Sequence, residues 1–293
     1  MAFRTLDDAQ VEHFLQHGHL VLRGCFERAQ VEEWIDLGWK RMGFDPHDRA
    51  TWPPRPVHQP PTQHVKVREF APRVFDAMCD LCGGEERIHE PVFGDAFIWN
   101  FGVDTDKPWL SPQEKPDGWH KDGDFFRHFL DSPEQGLLLI LLFSDIEPQG
   151  GGTFLACDSV SVLARYLAER PQGVLPQDFP FNALKSECHS FAQATGKLGD
   201  ALLIYPFVLH TVSRNLRGTA RAITNPLVTL REPMNFARAD GDYSPVEAAI
   251  LRGLGIDKLD FQPSVPRERL LSSRERAEQK KREEEAARLS GVA

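Results

Sequence analysis

From residue 96 to residue 230 the chain breaks into short apolar segments, each fenced by Gly, Pro or polar residues. Segments of this length suit strands better than helices. Many short strands joined by Gly and Pro turns build a sandwich or barrel rather than alternating β-α units. Strands are predicted at Ala96–Phe101, Trp119–Gly123, Leu137–Ile146, Thr153–Ala156, Ser190–Ala194, Ala201–Pro206 and Ile223–Leu230, with helical patterns at Val160–Glu169 and Val246–Leu254. Ahead of them, helices are predicted at Leu6–Gln16, capped by Thr5, and at Ala29–Met42 and Arg73–Cys82. Strands are predicted at His19–Leu22 and His64–Phe70. The fold class is therefore mainly β with α, with N-terminal helices packed on the outside of a β core.

One segment carries chemistry. In Trp119-His120-Lys121-Asp122-Gly123-Asp124, a strand puts residues two apart on one face. His120 and Asp122 then offer an imidazole and a carboxylate to one ion. Asp124 shares that parity and is the alternative carboxylate, although the tighter spacing favours Asp122. His210, at the end of the apolar run 201–209, is the candidate third ligand. A lone His-x-Asp pair is common by chance and also suits a hydrogen-bonded turn. Two imidazoles and one carboxylate on one octahedral face leave three positions open, the facial triad of non-haem iron(II) oxygenases. Zinc takes the same ligands, so the set alone does not fix the metal.

These residues resemble the iron-binding region of the phytanoyl-CoA dioxygenase family. The likeness includes Trp119 to Asp122, the turn Pro148-Gln149-Gly150-Gly151-Gly152-Thr153, and Gly199-Asp200-Ala201-Leu202-Leu203 leading to His210, Asn215 and Arg221. It also takes in the segment Gly18 to Gly24, and spans about residues 5–230. It implies a double-stranded β-helix (jelly-roll, cupin-like) core over about 90–232, within a single domain of residues 1–272. It implies Fe(II) held by His120, Asp122 and His210, with 2-oxoglutarate and O₂ as co-substrates. The activity implied is oxidation of a C–H bond, most simply hydroxylation, with release of succinate and CO₂. Because Asp122 is present, the resemblance points to oxygenation or desaturation rather than halogenation. Where the family often carries Gly-Ser-His after the glycine turn, this chain has Ala156-Cys157-Asp158-Ser159.

The family's arginine for the distal carboxylate of 2-oxoglutarate matches Arg221, and a guanidinium fork pairs bidentately with a carboxylate. Arg214 and Arg217 are nearby rivals, expected to be exposed in a turn. Asn100 and Thr153 are candidates to hydrogen-bond the co-substrate. Trp119, Phe125 and Phe126 are candidates to contact substrate. Nothing resembles a dedicated CoA site, which favours a small organic metabolite as the substrate.

The remaining features bound the function. The net charge of −9, from 34 basic and 43 acidic residues, argues against a nucleic-acid partner, since phosphate binding needs clustered Lys and Arg. No apolar run reaches the length of a membrane span; Leu137 to Phe143 is the longest candidate. Residues 1–8 lack the layout of a secretory signal. Five scattered cysteines do not form a disulfide framework, so a cytoplasmic location is expected. Cys79 and Cys82 read as buried free thiols, and His13, His17 and His19 as ordinary surface residues. The Pro-rich stretch 44–63 reads as a long loop, either a surface excursion or part of a lid. The charged tail 273–293 reads as a solvated helix. Competing readings are a cupin-like isomerase or hydrolase that has no use for Arg221, and a non-catalytic metal-binding scaffold. The sequence carries no signal of oligomeric state.

Overall fold

The computed structural model describes residues 3–102, 105–273, 275–276 and 279–280, so most of the expected tail lies outside the described residues. The chain opens with α1 (Asp8–His17), β1 (His19–Leu22), α2 (Arg28–Met42), β2 (Val57–His58), β3 (Val65–Lys66), α3 (Val67–Phe70) and α4 (Pro72–Cys82). Then come β4 (Ile88–His89), β5 (Val92–Phe93), β6 (Ile98–Asn100), β7 (Leu137–Leu142), β8 (Thr153–Ala156), α5 (Ser159–Ala168), α6 (Phe181–Ser186) and β9 (Phe191–Gln193). The last elements are β10 (Ala201–Ile204), β11 (Leu209–Val212), β12 (Arg221–Thr224), β13 (Leu227–Leu230) and α7 (Pro245–Leu254).

Two antiparallel sheets carry the core. The larger runs β1-β10-β7-β12-β6-β2, with β13 also on β7 and β4 beyond it; the smaller runs β11-β8-β9. His120 joins the edge of the smaller sheet by a two-bond bridge to His210. From β6 onward the chain alternates between the sheets. It passes β6, then the bridge at His120, then β7, then β8 and β9, then β10, β11 and β12. That interleaving is the double-stranded β-helix. β7 is buried on both sides, and side chains alternate across a strand, so Leu138 and Ile140 face the space between the sheets, where they line a cavity.

The outer face of the large sheet is covered by helices. Trp34 stacks on Phe70 with ring centroids 5.3 Å apart, and Trp39 meets Trp99 at 4.9 Å. These contacts bury α2 and α3 against the sheet and fix β6 beneath them. The C-terminal helix α7 packs against α1, α4 and α5. Helices from both ends of the chain therefore cover the core.

Several boundaries differ from the sequence reading, each for a local reason. Asp7, not Thr5, caps α1. Its carboxylate accepts from Gln10 N at 2.8 Å, and the Gln10 side chain accepts from Asp7 N at 3.0 Å, a reciprocal capping box. The strand expected over 64–70 exists only at β3. Val67 and Phe70, both buried, are spaced three apart and share one side of the helical turn α3. The strand expected over 223–230 is broken at Asn225-Pro226, because proline has no N–H for the ladder. Helix α6 lies where no element is predicted. Within the Pro-rich stretch, β2 pairs with β6, so part of this loop is an edge strand. Cys79 and Cys82 are buried free thiols.

Candidate metal centre

The bridge between residues 120 and 210 is the foundation of the site. His120 N donates to His210 O at 3.0 Å, and His210 N donates to His120 O at 2.9 Å. The two rings therefore sit side by side, with centroids 4.5 Å apart. Each ring is locked by the same local device. Nδ1 of His120 bonds the carbonyl of Gly118 at 2.8 Å, and Nδ1 of His210 bonds that of Val208 at 3.0 Å. A proton on Nδ1 satisfies each carbonyl and leaves Nε2 with a free lone pair. Asp122 Oδ1 lies 3.5 Å from Nε2 of His120 and 3.6 Å from Nε2 of His210. The three ligand atoms fall within 4.8 Å of one another, the one such group among the described residues.

Electrostatics match this geometry. Burial opposes ionisation of Asp122, but the two imidazoles outweigh it and hold its carboxyl far below the usual range. The other carboxylate oxygen, Oδ2, accepts from Asn225 Nδ2 at 3.1 Å. Asn225 therefore fixes which oxygen faces the histidines. The alternative carboxylate, Asp124, instead accepts from Ser273 N at 2.6 Å.

Beneath the ligand segment lies a buried polar knot. Lys121 Nζ contacts His128 Nδ1 at 2.6 Å, Gln135 Oε1 at 2.9 Å and the Asp122 carbonyl at 3.3 Å. Gln135 Nε2 donates to the Asp122 carbonyl at 2.6 Å, and His128 Nε2 meets the Gly123 carbonyl at 2.6 Å. Burial pushes the Lys121 ammonium down to about 7. Gly123 has φ +110°, and a Cβ there would lie 2.6 Å from the Phe126 ring and 2.9 Å from His128. The knot and the glycine together hold the backbone that carries Asp122.

The three candidate ligands face a cavity of 340 Å³ between the sheets. Its walls include Ile98, Leu138, Ile140 and Ile223, together with Thr153 and Arg221. Arg221 is 3% exposed. Its Nε donates to the Gly151 carbonyl at 2.9 Å, and Nη1 approaches the Ile98 carbonyl at 3.5 Å. No carboxylate of the described residues pairs with it, and burial alone lowers its guanidinium to about 10. Gly151 makes this possible. At φ +79° it turns tightly, and a Cβ would lie 2.8 Å from Asn100 Nδ2.

The other expected residues divide. Thr153 lines the cavity. Asn100 pairs across the ladder with Arg221 but is not a lining residue; its side chain packs beneath Gly151. Arg214 and Arg217 bond the carbonyls of Pro108 and Pro148 and lie outside the cavity. Trp119, Phe125 and Phe126 do not line it either. Alternation turns Trp119 away from His120, onto Phe191 at 5.6 Å. The Phe125 carbonyl accepts from Leu270 N, and Phe126 packs on His128 at 4.1 Å. Cavity residues that the sequence did not single out include Pro56, His58, Lys115, Thr211, Val212 and Asn225. Pro56 and His58 come from the Pro-rich stretch, whose edge strand brings them to the cavity wall.

No family model matches the chain, and no curated protein matches it. Among solved structures, HygX from Streptomyces hygroscopicus with nickel and 2-oxoglutarate bound is similar at 18% identity. The match covers 80% of this chain and 90% of that one, with a TM-score of 0.47. The non-haem α-ketoglutarate-dependent carbocyclase SnoK from nogalamycin biosynthesis is similar at 11% identity, over 92% of this chain and 100% of that one, with a TM-score of 0.48. EctD from S. alaskensis with 2-oxoglutarate and 5-hydroxyectoine is similar at 16% identity, over 78% and 77% of the two chains, with a TM-score of 0.43. Likeness of this degree carries no inference about activity, which has to rest on the residues of the site.

Proposed function

We propose that this chain is an iron(II)- and 2-oxoglutarate-dependent dioxygenase of the phytanoyl-CoA dioxygenase type that hydroxylates a C–H bond of a small organic metabolite. The observation that carries the reading is the pairing of two features in one cavity. A two-histidine, one-carboxylate set faces inward, and a buried arginine with no acid partner among the described residues stands in the same wall. The donor set suits Fe(II). A bound iron would supply the oxidative chemistry, with 2-oxoglutarate and O₂ consumed and succinate and CO₂ released.

The protein's own residues do the rest. His120 and His210 present Nε2 because their Nδ1 atoms are tied to backbone carbonyls. Asp122 presents Oδ1 because Asn225 holds Oδ2. Arg221 receives the distal carboxylate of 2-oxoglutarate, with Thr153 as a hydroxyl in the same cavity. The apolar side chains of β6, β7 and β12 exclude water around that ion pair, which strengthens it. Substrate enters past Pro56, His58 and Val212. A volume of 340 Å³ lies near the lower end of the range for small-molecule sites, about 300–1,000 Å³, which favours a small substrate.

The test is anaerobic addition of Fe(II) and 2-oxoglutarate to purified protein, which is expected to give the weak visible absorption of the chelate. In air, succinate should follow. Asp122→Ala is expected to abolish both, with at least about a hundredfold loss of metal affinity. Iron binding with no response to 2-oxoglutarate would instead favour a cupin-like isomerase or hydrolase.

A further inference from the structure

A second cluster of imidazoles lies far from this cavity in sequence, at the corner between α1 and β1. His13 and His17 are four apart on one face of α1, with ring centroids 4.6 Å apart. Gly18 then reverses the chain at φ +67°, and His19 opens β1. Its ring is 5.3 Å from that of His13 and 6.4 Å from that of His17. The corner is rigid. A Cβ on Gly18 would lie 2.6 Å from Val208 and 2.9 Å from Val160. Tyr205 N also donates to the Gly18 carbonyl at 2.7 Å.

From this arrangement we infer that His13, His17 and His19 form a second metal site, for a borderline divalent transition-metal ion such as Zn²⁺. Imidazoles sharing one ion at metal–nitrogen distances of about 2.0–2.1 Å have ring centroids roughly 5 Å apart. The two spacings from His13, 4.6 and 5.3 Å, match that value, and the 6.4 Å between His17 and His19 is wider. His19 also repeats the device of the main centre. Its Nδ1 bonds the carbonyl two residues earlier, that of His17, at 3.1 Å, leaving Nε2 free. Cys157 Sγ stands 3.9 Å from that same Nδ1, behind the ring. The cluster sits at the C-terminal end of α1, where the helix dipole favours a cation. The one acidic residue within the helix turn, Glu12, is paired with Arg252 at 2.8 Å. Burial lowers the pKa of His13 and His19, which keeps both rings neutral and able to ligate near neutral pH. The nitrogens are more widely spread than in the main centre. The widest gap lies between His17 and His19, so the half-buried His17 side chain has to turn toward His19, and the bound ion then clamps the end of α1 to β1.

The experiment is calorimetric titration of untagged, metal-free protein with Zn²⁺. His13→Asn with His17→Asn should lose one equivalent relative to wild type, or show at least a hundredfold weaker binding at that site. Asp122→Ala should retain that equivalent. His13→Asn alone, at an exposed position, guards against a folding defect, and thermal melts without zinc should overlay wild type. Equal stoichiometry and affinity in wild type and the double variant overturns the site. If wild type binds one equivalent and the double variant none, the corner site stands and the main centre is the one that fails to bind zinc.

Discussion

Two buried charges in this molecule are treated in opposite ways. Glu247, in the first turn of α7, has a side chain 0% exposed. It accepts from Arg87 Nη2 at 2.6 Å and Arg238 Nη2 at 2.9 Å, from the backbone N–H of Asn235 at 2.8 Å, and from the Ser244 hydroxyl at 2.8 Å. Every lone pair is used. Arg221 is about as deeply buried, yet among the described residues it meets carbonyl oxygens and no acid. A buried charge with all its partners supplied by the chain is part of the scaffold. A buried charge whose counter-ion the chain does not supply is costly to keep, and a ligand carboxylate would offset that cost. Glu247 ties α7 to the segments at Arg87 and Arg238, while on the proposed function Arg221 leaves a place in the cavity wall for the carboxylate of 2-oxoglutarate.

Replacement should separate the two most clearly at Glu247. Glu247→Ala leaves two arginines facing an emptied, buried position, which costs about 3–5 kcal/mol. Urea unfolding is the measurement, and the folded fraction should still bind metal and 2-oxoglutarate as wild type does. Acid sharpens the point. Burial raises the Glu247 pKa, but the hydrogen bonds from Arg87 and Arg238 and the backbone N–H groups of Asn235 and Ser244 outweigh it. The result is a fall from 4.5 to about 2. The folded-state pKa is below the unfolded one, so the stabilisation is complete above about 4.5 and is lost as pH falls toward about 2. Glu247→Gln should flatten the stability profile across that window. A profile as steep as that of wild type would show that this carboxylate does not anchor α7.

Arg221→Met should give the reverse pattern. It removes a bond to the Gly151 carbonyl, worth about 1 kcal/mol, and also an uncompensated buried cation, so stability should change little. Affinity for 2-oxoglutarate should fall by at least about 30-fold, the equivalent of about 2 kcal/mol for one partner of a buried charge pair. Arg221→Lys should recover only part of it, because an ammonium lacks the bidentate fork. The measurement is the anaerobic absorption titration. A large stability loss with unchanged 2-oxoglutarate affinity would place Arg221 with Glu247, as scaffold.

The sequence showed the strands more readily than the cavity they enclose. β1 and β8 lie at their predicted positions, because each is a short apolar run with turn residues at its ends. His120, Asp122 and His210 could be picked out because strand parity nominates the first two and an apolar run delivers the third, although the strand expected over Trp119–Gly123 is reduced to the bridge at His120 and Asp122 lies in the bend that follows. Parity also shows why Trp119 does not line the cavity, whereas Phe125 and Phe126 are carried away by the turn after Gly123, which pairs Phe126 with Arg269. Neighbours in sequence to a ligand point elsewhere, and Trp119 is on the opposite face from His120. His58 was hidden in a Pro-rich stretch that has no periodic pattern, and its place depends on pairing with β6. Asp7 displaced Thr5 as the cap because Gln10, three residues on, completes a capping box with it.

Asn225 falls between the two extremes of the comparison, being a neutral side chain that holds one charged partner. Its position follows from Pro226, which ends the ladder and frees the preceding residue to turn toward Asp122. The pair Asn-Pro inside an apolar run was the available signal. Asn225→Ala removes one hydrogen bond, to Asp122 Oδ2, and no charge. The carboxylate can then rotate, and Oδ1 is no longer held toward the histidines. Loss of such a supporting contact typically weakens metal affinity by about 10- to 100-fold. Competition with a chelator for Co²⁺ measures this without any turnover. Stability of the metal-free protein should move by less than about 1 kcal/mol, because Asp122 keeps its contacts with the two imidazoles. If Co²⁺ affinity were unchanged, the side-chain knot of Lys121, His128 and Gln135 beneath the backbone would by itself be enough to aim the carboxylate.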